Sequence, residues 1–187
     1  MQKVRIIAGS LRGRNVIFPD QENLRPTLSR VRETMFAWLE PYIYGANCLD
    51  LFAGSGAMGF EALSRGAKRV LMIDQSPQVI EHIRRNQTNF RVDNLDLLQG
   101  SYLTLASKIK LHGPFDVVFI DPPFLNNELE NVLKWLAEND FLQNNSMILC
   151  EWGLQSSPNF PTMYTTKKLK KAGKVNYGLF EYENLGK

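Results

Sequence analysis

An open, doubly wound α/β sheet is the fold this sequence predicts, and three observations carry the prediction. From residue 46 onward, near-continuous apolar runs alternate with amphipathic ones, and strands apolar on both sides belong to a parallel sheet covered on both faces. The first apolar run leads into a glycine-rich turn, Asp50-Leu-Phe-Ala-Gly54-Ser-Gly56-Ala-Met-Gly59. The fourth ends in Asp121-Pro122-Pro123-Phe124, where two residues in a row lack the N–H a strand would use.

In chain order, KVRIIAGSLRGRNVIF (3–18) reads as two short strands joined by a Gly/Ser/Arg-rich turn. A helix follows over 29–40, with Val31, Met35, Trp38 and Leu39 on one face, Pro26 ahead of it and Thr27 or Ser29 as its cap. The predicted sheet strands are 46–52, 69–73, 95–99, 115–120 and 146–152, and helices are expected near 57–65, 77–90, 101–111 and 127–139. The tail changes rhythm: MYTTKKLKK and VNYGLFEYE read as an antiparallel hairpin through Ala172-Gly173 at the sheet edge. We read the 187 residues as one domain, with a basic hairpin arm (1–22), a leading helix (23–45) and the α/β core (46–187).

Bulk properties narrow the function. No apolar run reaches the roughly 18 residues of a membrane span, and the first residues lack the apolar core of a signal peptide. Cys48 and Cys150 lie inside apolar runs, as buried thiols in a reducing compartment would. A cytoplasmic monomer without a metal is therefore expected. The net charge of +3 hides an asymmetry: residues 1–32 carry +5 and residues 164–187 carry +4, which leaves −6 for the middle. Basic ends around an acidic centre suit a polyanion held at the periphery. Arg30 and Arg32 fall in the first turn of the leading helix, the wrong sign for its macrodipole, and this favours a phosphate contact there.

Gly54, Gly56 and Gly59 fit the pattern G-x-G-x-x-G, which by itself is weak evidence. Glycine lets the backbone approach a ligand and turn sharply into a helix. Asp74, twenty residues beyond Gly54, is placed to accept from ribose hydroxyls. A nicotinamide dehydrogenase is one reading, but His82 and His112 both read as surface residues and leave it without a proton donor. Asp50 is a second objection: a carboxylate there opposes a pyrophosphate and suits a cationic cofactor such as S-adenosylmethionine.

The 121–124 corner offers carbonyl and carboxylate acceptors without competing donors. The exocyclic amine of a nucleobase needs that combination, because its lone pair is delocalised into the ring. Asp121 and the carbonyl of Pro122 could bind both amine hydrogens and aim the nitrogen lone pair, while Phe124 offers a face for stacking to a base turned out of its own stack.

This tetrapeptide resembles the (Asn/Asp/Ser)-Pro-Pro-aromatic motif of amino-methyltransferases. With RIIAGSLRGR (5–14), LRPTLSRVRETMFAWL (24–39) and LDLFAGSGAMGFEALSRGA (49–67) in the same order, the whole chain closely resembles the bacterial 16S ribosomal RNA guanine-N2 methyltransferases that modify guanine 966. The resemblance implies a Rossmann-like class I methyltransferase fold and S-adenosylmethionine held by Asp50, Phe52, Ala53, Gly54, Ser55, Gly56, Asp74, Gln75 and Ser101. It further implies target-base contacts from Asp121, Pro122, Pro123 and Phe124. Arg5, Arg12, Arg14, Arg25, Thr27, Arg30 and Arg32 match its RNA-facing segments, with 16S rRNA, the small subunit or an assembly intermediate as partner. One departure stands out: where the class has Asp or Asn after the third strand, this chain has Gly100-Ser101, so backbone groups are expected to hold the adenine. Three alternatives stay open: an adenine-N6 methyltransferase, a non-catalytic RNA-binding factor and the NAD-dependent enzyme.

Overall fold

The computed structural model describes residues 1–19, 29–122 and 128–184. Strands β1 (Gln2–Arg5) and β2 (Asn15–Phe18) form an antiparallel hairpin, followed by α1 (Ser29–Ile43), β3 (Asn47–Asp50), α2 (Ala57–Ser64), β4 (Arg69–Asp74), α3 (Pro77–Phe90), β5 (Leu95–Gln99), α4 (Ala106–Lys110), β6 (Phe115–Ile120), α5 (Glu128–Glu138), β7 (Leu142–Gly153), β8 (Tyr164–Ala172) and β9 (Val175–Tyr182). The seven-stranded sheet has the order β5-β4-β3-β6-β7-β9-β8. Its first five strands are parallel, and β9 is antiparallel to both β7 and β8. The tail hairpin is thus as expected, with its second strand inserted against β7 and β8 left at the edge.

Alternate strand residues feed two cores. Cys48, Val70, Met72, Val117 and Phe119 face α1, α2 and α3, whereas Leu49, Leu71, Ile73, Val118 and Ile120 face α4 and α5. That two-sided burial is why the strands read as unbroken apolar runs. Both cysteines are buried and free. Among the described residues, no helix is long and apolar enough to cross a membrane.

Most boundaries follow local chemistry. Ser76 caps α3, its Oγ accepting from the Val79 N–H at 3.3 Å, with Pro77 in the first turn where its missing N–H costs nothing. α4 begins at Ala106 rather than 101: Ser101 Oγ accepts from Leu103 N–H, and Thr104 Oγ1 donates back to the Ser101 carbonyl, so hydroxyls hold 101–104 in a turn. β7 starts at Leu142, four residues earlier than expected. Ser146 Oγ donates to the Phe115 carbonyl (2.7 Å) and accepts from Gln143 N–H (2.9 Å), fixing a polar stretch against β6 that hydropathy reads as loop.

The N-terminal hairpin is clamped onto the core by buried polar side chains. Glu61 on α2 accepts from Ile7 N–H (2.8 Å) and Ala8 N–H (3.1 Å), and Asn86 on α3 exchanges two bonds with the backbone of Ile17. Ser64 Oγ accepts from Leu11 N–H at 2.9 Å. Gly9 makes this approach possible, since a Cβ there would lie 1.7 Å from the Ser64 carbonyl oxygen, and its φ of +81° disfavours any side chain. Gly9→Ala is expected to cost about 2 kcal/mol or more and to lower Tm by roughly 4–8 °C. Gly45→Ala is the control: it shares the positive φ, at +74°, but meets no atom within 4 Å. Calorimetric melting of both variants checks the difference, and equal losses would contradict the close-approach account.

Candidate active site

The parallel strands end together, and their last residues supply the acids. β3 ends at Asp50 and β4 at Asp74, and Asp121 follows the last residue of β6. Residue 50 is level with Phe119, and Leu51 N–H donates to the Phe119 carbonyl at 3.2 Å, so the Asp121 corner stands directly beside the start of the glycine turn. This is the switch point of the sheet: the chain moves outward from β3 to β4 and β5 on one side, then returns to β6 on the other. Ligands of open α/β sheets bind there.

The glycine turn is held from two sides. Asp74 Oδ2 accepts from Gly54 N–H (3.0 Å) and Oδ1 from Ser76 N–H (2.9 Å). His82 Nε2 lies 3.1 Å from the Gly54 carbonyl oxygen, and its neutral ring can donate there. Burial lowers the His82 pKa, partly offset by that carbonyl, and so favours the neutral form. Gly54 and Gly56 have φ of +51° and +79°. A Cβ on Gly56 would press on Ile83 and Phe60 at 3.2 Å, and one on Gly59 would meet Met72 Cε at 2.2 Å. Gly59 therefore lets α2 pack on β4, while Gly54, with only the Phe52 carbonyl oxygen within 4 Å of such a Cβ, keeps an open flank.

Asp50 is 3% exposed, and its Oδ2 has no hydrogen-bond partner. Burial first, then the charges of Asp121 and Asp74, push its pKa up to about 7 against the pull of the backbone N–H groups of Phe52 and Gly59. Burial likewise raises Asp121 to about 6. Three carboxylates close enough to act on one another at the strand ends make that corner hostile to a pyrophosphate and receptive to a cation. The orphaned oxygen of Asp50 is the position that a positively charged, hydrogen-bonding ligand group would complete. Beyond the turn, half-buried Phe52 meets Tyr102 edge-on at 5.9 Å, and Tyr102 Oη donates to Glu128 Oε1 at 3.0 Å.

Of the other residues singled out above, Ala53, Ser55 and Gly56 are buried in the turn, and Gln75 is exposed after β4. Ser101 is half-buried with its hydroxyl engaged by Leu103 N–H. Pro122 is buried at the corner, and Pro123, Phe124, Arg25 and Thr27 lie outside the described residues. Arg5, Arg12, Arg14 and Arg30 are exposed, with Arg14 also donating to the Asn89 carbonyl at 3.2 Å.

Two expectations are corrected. Arg32 does not face outward: it is 1% exposed, donates to the Arg5 carbonyl at 2.6 Å and lies 4.0 Å from Glu61. A guanidinium enclosed in this way cannot reach RNA, and it joins α1 to the hairpin and α2. His82 is not a surface residue either, being 8% exposed behind the glycine turn. Its signal was in the helix period, because Val79, Ile83, Asn86 and Phe90 share its buried face. His112 is half-buried, 3.5 Å from Asp96.

Sheet order, glycine turn and convergent acids together define a Rossmann-like methyltransferase fold. The family model described as Conserved hypothetical protein 95 matches residues 4–181. Ribosomal RNA small subunit methyltransferase D of Haemophilus influenzae is 40% identical over 181 residues, 96% of this chain and 94% of its own. The Escherichia coli K12 protein of the same name is 38% identical over 186 residues, 98% and 92% of the two chains. The solved yhhF protein of Escherichia coli superposes with a TM-score of 0.87 at 37% identity, covering 97% of this chain and 99% of its own. The chain belongs to the ribosomal RNA small subunit methyltransferase D family.

Proposed function

We propose that this protein methylates 16S ribosomal RNA of the small subunit with S-adenosylmethionine, and that its target is the exocyclic N2 amine of a guanine, position 966 in the family reading. The observation that carries the reading is the convergence of Asp50, Asp74 and Asp121 on one side of the glycine turn. It favours a sulfonium-bearing nucleoside over a dinucleotide, and the relatives named above favour ribosomal RNA.

When bound, adenosylmethionine supplies an electrophilic methyl carbon on a positively charged sulfur. The chain's own residues do the rest. Asp50 takes the ammonium end, with the unpartnered Oδ2 as its acceptor. Asp74, already holding Gly54, accepts from the ribose hydroxyls. Asp121 and the Pro122 carbonyl each take one hydrogen of the guanine amine, which pulls its nitrogen toward tetrahedral geometry, and Phe124 stacks on the base. An amine nitrogen held in this way would have its lone pair free for the methyl carbon, and Asp121 would take the surplus proton. A carboxylate raised to about 6 suits that task near neutral pH.

The test is incubation with labelled adenosylmethionine and small subunits from cells lacking the modification. Label is expected in 16S rRNA, on a guanine amine. Label on adenine in DNA would overturn the reading.

A further inference from the structure

β8 is the free edge of the seven-stranded sheet, and its basic character exceeds what edge protection requires. A lysine or two suffices to discourage edge-to-edge pairing. Here Lys167, Lys168, Lys170 and Lys171 occupy one strand, with Lys174 in the turn that follows, and all five are exposed. Two of them have structural partners: Lys167 Nζ lies 2.7 Å from Glu181, and Lys170 Nζ stands 5.8 Å over the Trp38 ring, which itself stacks on Tyr177. Lys168, Lys171 and Lys174 form no ion pair among the described residues.

Register places these three with respect to the chemistry. Ile120, the residue before Asp121, is level with Cys150, then Gly178, then Leu169. One row further lie Glu151, Tyr177 and Lys170, and the hairpin turn lies beyond, tied to β7 by Leu154 N–H donating to the Lys174 carbonyl at 3.2 Å. The C-terminal half of β8 therefore rises at the same end of the sheet as Asp121, three strand steps away, or about 14 Å at ~4.8 Å per step. On the other half of the sheet, the hairpin carrying Arg5, Arg12 and Arg14 sits over α2 and α3, which cover β3, β4 and β5.

We propose that Lys168, Lys171 and Lys174 on the β8 edge bind the phosphate backbone of the RNA strand beside the target nucleotide, so that two basic surfaces flank the acidic pocket. The inference rests on the RNA-methylating reading above. Lysine point charges fix the strand without reading its sequence, and their placement leaves the base itself to the pocket.

The variant Lys168→Glu/Lys171→Glu/Lys174→Glu keeps charges on the edge, so protection against pairing is retained while phosphate attraction is reversed. With unmodified small subunits as the probe, the log–log salt dependence of binding is expected to flatten by about 2–3, one phosphate contact being worth roughly 0.7–0.9. KM for subunits should rise severalfold, with kcat and the calorimetric affinity for adenosylmethionine unchanged. Lys168→Arg/Lys171→Arg/Lys174→Arg should behave as wild type. An unchanged salt slope and KM in the glutamate variant would overturn the proposal, as would an arginine variant that is equally impaired. Failure of the wild-type protein to label small-subunit RNA is a separate result that counts against the function itself.

Discussion

Replacing Asp121 by alanine is expected to reduce methyl transfer by about 10²–10⁴-fold while leaving adenosylmethionine affinity within about tenfold of wild type. The division follows from where the carboxylate stands. Asp121 follows the end of β6 beside the glycine turn, and the task proposed for it is toward the amine, whose nitrogen acquires positive charge only as the new bond forms. An acceptor that acts chiefly on that charge lowers the barrier without tightening the ground state. Single-turnover transfer and calorimetry, run on the same preparation, separate the two quantities. A large fall in cofactor affinity with the chemical step preserved would mean that Asp121 belongs to the cofactor site.

Asp50→Asn should have the opposite profile, with cofactor binding largely lost and the free protein stabilised. Asp50 titrates near 7 because it is buried close to two other acids, whereas an ordinary aspartate titrates near 3.8. A carboxyl raised in the folded state favours folding fully below its unfolded pKa and loses that advantage as pH rises through the folded value. The unliganded wild-type protein therefore carries its largest penalty above pH 7, on the order of 4 kcal/mol as an upper limit. Asparagine retains an acceptor for Phe52 and Gly59 N–H and removes the charge, so its gain in Tm should be largest at pH 8 and shrink toward pH 5. By the same sign, adenosylmethionine affinity of the wild type should strengthen as pH rises through 7, because the cation favours the ionised form. Melting curves and calorimetry across pH 5–8 check both halves; an Asp50→Asn protein that melts lower than wild type at pH 8 would refute the electrostatic account.

Asp74 and Asp121 were legible in the sequence because they stand where apolar runs stop, whereas Asp50 was marked by the glycine turn it opens, its strand being expected to run to residue 52 and ending at Asp50. β5 and β6 have the bounds that their hydropathy predicts, and β3 and β4 differ only at their ends. The Asp121 corner announced itself through its two prolines. What escaped were residues whose role depends on distant partners. Arg32 reads as a misplaced surface cation until Glu61, on another helix, is seen to lie 4.0 Å away. Glu61 and Ser64 read as ordinary helix residues, although they hold the backbone of 7–11. His82 sits among Glu81, Arg84 and Arg85, so local composition suggests solvent while helical period points to the core. The early start of β7 failed for the converse reason, because Ser146 anchors a polar strand that no apolar pattern marks.

A crystal structure with adenosylhomocysteine bound is the most direct test of the shared pocket. The ammonium group is expected on Asp50, the ribose on Asp74 and the sulfur facing the Asp121 carboxylate across a gap wide enough for one methyl group and a purine amine. A ligand seated elsewhere, or a sulfur turned away from Asp121, would contradict it.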